Sequence, residues 1–167
     1  MRKILLGVLA AGAVWYLAIG GRELKEAHIY EAYNAYWSAF HDNNSEAACA
    51  LFDTAYSAKI RTRTPAGSVE ESADHAAACA GVAKFYALKQ QMESATGQTL
   101  YFNSEFNVER IDITPDKKLA RAQVRSEIRI GTEQRLFLKI TEQRTDVFAR
   151  SLGKTRITAS DGSVSMF

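Results

Sequence analysis

The hydrophobic period of the chain changes once, near Gly97, from about three and a half residues to two. Between residues 23 and 40, Leu24, Ala27, Ile29, Tyr30, Tyr33, Tyr36, Trp37 and Phe40 recur at three- and four-residue spacing, which places them on one face of a long helix. The polar run 41–45 interrupts it. Asn44 or Ser45 can cap a second helix over residues 46–58, carrying Cys49, Leu51, Phe52 and Tyr56. Residues 59–69, with Pro65, Gly67 and the alternation Arg61-Thr62-Arg63-Thr64, read as a loop or a short edge strand. Ser68 or Ser72 then opens a third helix through His75, Cys79, Val82, Phe85, Leu88 and Met92, with Gly97 as its terminating residue.

Beyond Gly97 the pattern is that of strands. In residues 119–130, Ala120, Ala122, Val124, Ser126, Ile128 and Ile130 alternate with Arg121, Gln123, Arg125, Glu127 and Arg129, giving one dry face and one wet, basic face. Flanking strands are predicted over 101–114, 134–150 and 155–167, joined by Pro115-Asp116-Lys117, Gly131-Thr132-Glu133 and Leu152-Gly153-Lys154. Such short connections imply an antiparallel meander. At about 3.4 Å per residue the third strand would exceed 50 Å, so it must bend strongly or break. Helices followed by a curled sheet make an α+β arrangement.

At this level the chain resembles the NTF2-like, or SnoaL-like, superfamily over about residues 26–160. The matching features are the aromatic helix from Tyr30 to Phe40, the two helices predicted after it, and the ending Leu138-Lys139-Ile140-Thr141-Glu142, Val147-Phe148-Ala149-Arg150 and Gly153-Lys154-Thr155-Arg156-Ile157. Thr155 stands where the family usually has an aromatic residue after the Gly-Lys turn. The resemblance implies a cone in which N-terminal helices pack on a curved antiparallel sheet around a central pocket.

The first residues change the picture more than the overall composition does. Met1-Arg2-Lys3 precedes seventeen uncharged residues, Ile4 to Gly20. As a helix this run reaches about 26 Å, close to the hydrocarbon thickness of a bilayer, with Trp15 and Tyr16 near its far end. It reads as a signal-anchor or transmembrane helix over residues 1–21, or else as a cleaved export signal ending at the small residues Ala10 to Ala13. Either reading puts residues 22–167 on the periplasmic or extracellular side of the cytoplasmic (inner) membrane, and the anchor makes the chain single-pass. The formal charge of +2 comes from Arg2 and Lys3, because the remainder carries 19 basic and 19 acidic groups. Such a neutral domain offers no electrostatic reason to expect nucleic acid. The two cysteines, Cys49 and Cys79, lie in alanine-rich helical stretches, and in an oxidising compartment they form a disulfide or remain as two buried thiols.

No metal-spaced cluster, phosphate loop or nucleophile signature is present, so no catalytic residue, cofactor or metal is assigned. The resemblance implies that enzymes of this superfamily place an Asp, His or Tyr inside the cone, and it directs attention to His28, His41, Asp42, His75, Tyr30, Tyr33 and Tyr36. His41 and Asp42 are adjacent, so their side chains diverge and suit a solvated helix end. Tyr30, Tyr33, Trp37, Phe40 and Phe85 either line a pocket for a small apolar ligand or fill the core. The wet face of Arg121, Arg125 and Arg129 is a solvated or internally paired surface, a contact for a protein partner or a second copy, or a contact for anionic lipid. The expected function is a membrane-tethered binding and assembly module. The alternatives are a small enzyme of the SnoaL or ketosteroid-isomerase type and a carrier.

Overall fold

The computed structural model of the chain describes residues 20–133 and 135–167. Among them the elements run, after a 3-10 turn at Gly20–Arg22, as α1 (Glu26–His41), α2 (Ser45–Cys49), β1 (Phe52–Thr64), β2 (Gly67–Asp74), α3 (His75–Thr96), β3 (Tyr101–Ile113), β4 (Leu119–Gly131), β5 (Leu136–Ser151) and β6 (Lys154–Met166). The anchor expected over residues 1–21 lies outside the described residues except for its last positions. No helix among the described residues is long and apolar enough to cross a membrane.

The six strands form one sheet in the order β2-β1-β6-β5-β4-β3. The meander β3 to β6 is antiparallel throughout, as its short turns require, and β1 joins it in parallel beside β6. Register shifts at Val108/Arg110, Ile130/Gly131 and Val147/Phe148 let strands of 13 to 16 residues curl instead of running straight. The curl wraps the sheet's inner face around α1. Ala120, Ala122 and Val124 of β4, Phe148 of β5 and Ile157 of β6 bury against Ile29, Tyr33, Trp37 and Phe40.

Two expected elements are corrected. The second helix stops at Cys49, and residues 52–58, expected to continue it, belong to strand β1. Leu51, Phe52 and Tyr56 have spacing that also fits a helix, but Tyr56, Ala58, Ile60 and Thr62 alternate along the inner face. Leu51 already accepts the Ile157 N–H, which starts the parallel pairing. The third helix begins at His75 and not at Ser68 or Ser72, because Gly67–Asp74 pairs with β1 as an edge strand. Asp74 caps α3 by accepting the Ala77 N–H at 2.8 Å, and Gly97 ends it with φ of 64°. Cys49 and Cys79 form a disulfide with a Cα–Cα distance of 5.1 Å, tying the end of α2 to the first turns of α3. Closing that 30-residue loop contributes roughly 3.6 kcal/mol on the chain-entropy account.

Gly162 marks a close approach within the sheet. It sits between Ile60 of β1 and Arg144 of β5, and a Cβ there would collide with the Gln143 carbonyl oxygen and the Arg144 Cβ. Gly162→Ala is therefore expected to cost about 1–3 kcal/mol, read as a lower urea midpoint with an unchanged slope.

Candidate functional site

Alternation along β5 decides the chemistry of the interior. Positions 142, 144, 146 and 148 share its inner face, and three of the four are Glu142, Arg144 and Asp146. Asp146 is 0% exposed and accepts three hydrogen bonds: from Tyr33 Oη at 2.8 Å, Arg144 Nε at 2.8 Å and Ser160 Oγ at 2.6 Å. Glu142 accepts from Arg144 Nη1 at 2.7 Å and from Ser126 Oγ at 2.9 Å. One guanidinium thus bridges two carboxylates inside the cone.

The network perturbs its members in the directions that burial and charge dictate. Burial first, and the Asp146 charge second, hold the Tyr33 phenol well above its usual range. Burial pushes Tyr36 up to about 12. Burial opposes the charge on Arg144, yet Asp146 and then Glu142 outweigh it and raise the guanidinium further. With these hydrogen bonds committed within the network, the arrangement resembles a braced polar core more than an acid or base poised for a substrate.

Aromatic rings fill the space around it. Tyr33 meets Phe148 edge-on at 5.2 Å, Trp37 stacks on Phe106 at 5.7 Å, and Phe40 lies 5.0 Å from Phe85. Tyr33, Trp37 and Phe40 are buried and Phe85 packs partly buried against them. Tyr30, expected with this group, is instead 44% exposed. It stands about 60° from Tyr33 around the helix axis, on the flank opposite Tyr36 and at the margin of the buried stripe, where Trp37, two turns further along the same flank, is still covered. Trp37 Nε1 is buried without an acceptor among the described residues. Of the histidines, His28 accepts the Lys25 N–H at 3.2 Å and is held below its usual pKa by burial and then by Arg150, whereas His41 lies exposed, 2.9 Å from Ser104 Oγ.

The outer face of the sheet is built differently. Two adjoining hollows of about 580 Å³ each lie there. Lys59, Arg61 and Arg63 of β1, Gln123 of β4, Gln143 of β5 and Asp161 of β6 border the first. Arg121, Val147 and Ala159 border the second, and Lys59, Thr145 and Asp161 are common to both. Arg61 is paired with Glu70 at 2.9 Å. Arg129 and Lys139 share Glu127, whose carboxyl Lys139 first, and then Arg129, pull below the usual range. Lys59, Arg63, Arg121 and Arg125 form no ion pair among the described residues. Of the three arginines singled out in β4, then, Arg121 and Arg125 present unpaired charge and Arg129 does not.

A third grouping was not visible as a spacing in the sequence. His75 and Cys79, one turn apart on α3, face Cys49, and the His75 imidazole Nε2 lies 3.9 Å from Cys49 Sγ and 3.7 Å from Cys79 Sγ.

Solved structures share this architecture at low identity. An NTF2-like protein from Cytophaga hutchinsonii is 14% identical with a TM-score of 0.54, over 84% of this chain and 98% of that one. A ketosteroid isomerase-like protein from Erwinia carotovora atroseptica is 14% identical with a TM-score of 0.51, over 84% and 95%. A conserved protein from Planctomyces limnophilus is 12% identical with a TM-score of 0.58, over 85% and 97%. Neither a protein-family model nor a curated protein matches the chain. The likeness establishes an NTF2-like α+β fold with a curved six-stranded sheet.

Proposed function

We propose that this chain is a membrane-tethered, extracytoplasmic binding and assembly module whose outer sheet face meets a protein partner or a second copy. The observation that carries the reading is a contrast between the two faces of one sheet. Inward-facing polar groups of β5 are consumed by one another and by Tyr33, while the outer face has room and unpaired cations at Lys59, Arg63, Arg121 and Arg125. Unpaired cations beside open hollows favour a partner surface that brings carboxylates, since complementary charge sets register and speeds encounter. The apolar run before Gly20 supplies the tether, with Arg2 and Lys3 on the cytoplasmic side.

Photo-crosslinking of the full chain in cells tests the surface. A crosslinker at exposed Gln143 is expected to give one dominant adduct that Arg125→Glu reduces at least tenfold, whereas a crosslinker at exposed Lys84 on α3 gives none. Equal adducts from both positions, or no effect of the charge reversal, would defeat the assignment. N-terminal sequencing of the membrane fraction tests the tether, and a mature form beginning near Val14 would eliminate it.

One observation favours a second reading. The Trp37 indole N–H, buried without an acceptor among the described residues, suits a small ligand that carries one, held by a carrier or turned over by an enzyme of the SnoaL type. Quenching of tryptophan fluorescence by a small apolar ketone, lost in Trp37→Phe with Trp15 left in place, would support it.

A further inference from the structure

We infer that Cys49, Cys79 and His75 form a redox-gated metal site: closed while the disulfide is intact, and able to hold a thiophilic divalent ion such as Zn2+ once it is reduced. The donors converge from two elements of the chain. Cys49 ends α2, while His75 and Cys79 are spaced i, i+4 on the first turns of α3, so both project from the same helix face. Capping by Asp74 and the body of α3 fix that face, and it is the pairing of α2 with α3 that brings Cys49 onto it.

The distances suit the ion. With Zn–S near 2.3 Å and Zn–N near 2.0 Å, tetrahedral angles place a nitrogen about 3.5 Å from each sulfur. His75 Nε2 lies 3.7 Å from Cys79 Sγ and 3.9 Å from Cys49 Sγ. Only the sulfurs must separate, to about 3.8 Å, which rotation of the two side chains can supply because the Cα atoms already stand 5.1 Å apart. All three residues are half-buried, so a dithiol reductant can reach the bridge and a water or an exogenous ligand can complete the fourth position.

The chemistry balances. Two electrons and two protons from an external dithiol convert the disulfide to two thiols, the dithiol closing to its own cyclic disulfide. Zn2+ then displaces both thiol protons and takes the neutral imidazole as third ligand. Reoxidation needs a two-electron acceptor, a disulfide of another protein being sufficient, and it expels the ion.

The test uses the full chain in detergent micelles, reduced by a dithiol that is then removed under argon, with Co2+ as the probe. Reduced chain is expected to bind one Co2+ with thiolate-to-cobalt charge transfer and the intense ligand-field bands of a tetrahedral site, both abolished by equimolar Zn2+. Oxidised chain should show neither. His75→Ala should weaken binding at least tenfold while leaving the unfolding curve of the oxidised protein unchanged, and Cys49→Ser combined with Cys79→Ser should abolish the charge-transfer band. A reduced chain that keeps its circular dichroism yet shows no such bands overturns the site, as does His75→Ala binding with unchanged affinity. Should reduction unfold the chain, Zn2+ must restore the native spectrum, and its failure to do so overturns the site equally.

Discussion

Arg144→Met is expected to lower the unfolding free energy by about 3–5 kcal/mol, because breaking a buried ion pair from one side leaves the other side's charge without compensation. Here the loss is doubled in kind. Arg144 serves Asp146 through Nε and Glu142 through Nη1, so its removal strands two carboxylates that keep only the hydroxyl donors Tyr33, Ser160 and Ser126. For a domain of this size the midpoint of thermal unfolding should fall by about 10–15 °C. The companion variant separates charge from packing. Replacing Glu142, Arg144 and Asp146 together by Leu, Met and Leu, with Tyr33→Phe, Ser160→Ala and Ser126→Ala to remove the orphaned hydroxyls, should be near neutral or stabilising, since a buried ionic cluster rarely outperforms apolar groups of similar volume. A loss under about 1 kcal/mol in Arg144→Met would mean that water reaches the cluster and screens it, whereas a large loss in the combined variant would mean that the ionic cluster outperforms the apolar packing that replaces it.

The same three residues show where the sequence was legible and where it was not. Period-two alternation located the last four strands within two residues of their observed ends, because an exposed outer face and a covered inner face impose that period directly. Extending the alternation along β5 from Ile140 to Phe148 puts Glu142, Arg144 and Asp146 on the covered side, so the polar core was encoded as charges in dry positions. What the sequence lacked was the partner: Tyr33 lies 113 residues away on α1, and nothing local pairs it with Asp146. The error at residues 52–58 has a similar origin. Phe52 and Tyr56 permit a helix or a strand, and the choice is made by parallel pairing with β6, about a hundred residues later in the chain. The Cys49, His75 and Cys79 grouping depends likewise on α2 meeting α3, and Tyr30 was placed with its neighbours because helical spacing gives a stripe but not the width of the surface that covers it.

The buried phenols lead to the second large effect, an alkaline loss of stability. Tyr33 is fully buried and donates to Asp146, with burial first and that charge second holding its phenol well above the usual range, and burial pushes Tyr36 up to about 12. A folded-state pKa above the unfolded value near 10 means that the folded chain keeps protons which the unfolded chain releases. The associated stability is therefore complete below pH 10 and is lost as pH rises, at about 1.4 kcal/mol per phenol per pH unit. Two phenols acting together should remove about 5 kcal/mol by pH 12, which is comparable to the whole stability of many domains. Urea midpoints measured from pH 9 to 12 should fall steeply above 10. Tyr33→Phe supplies the internal comparison. It gives up the hydroxyl donated to Asp146 and so begins less stable at pH 8, by about 1–2 kcal/mol, but its alkaline slope should be shallower than the parent's by about 1.4 kcal/mol per pH unit, the remaining slope coming from Tyr36, Tyr86 and Tyr56, whose phenols burial also raises. Parallel slopes in the two proteins would show that Tyr33 ionises without opening the cone, and the braced interior on which the outer-face reading depends would then be accessible to solvent.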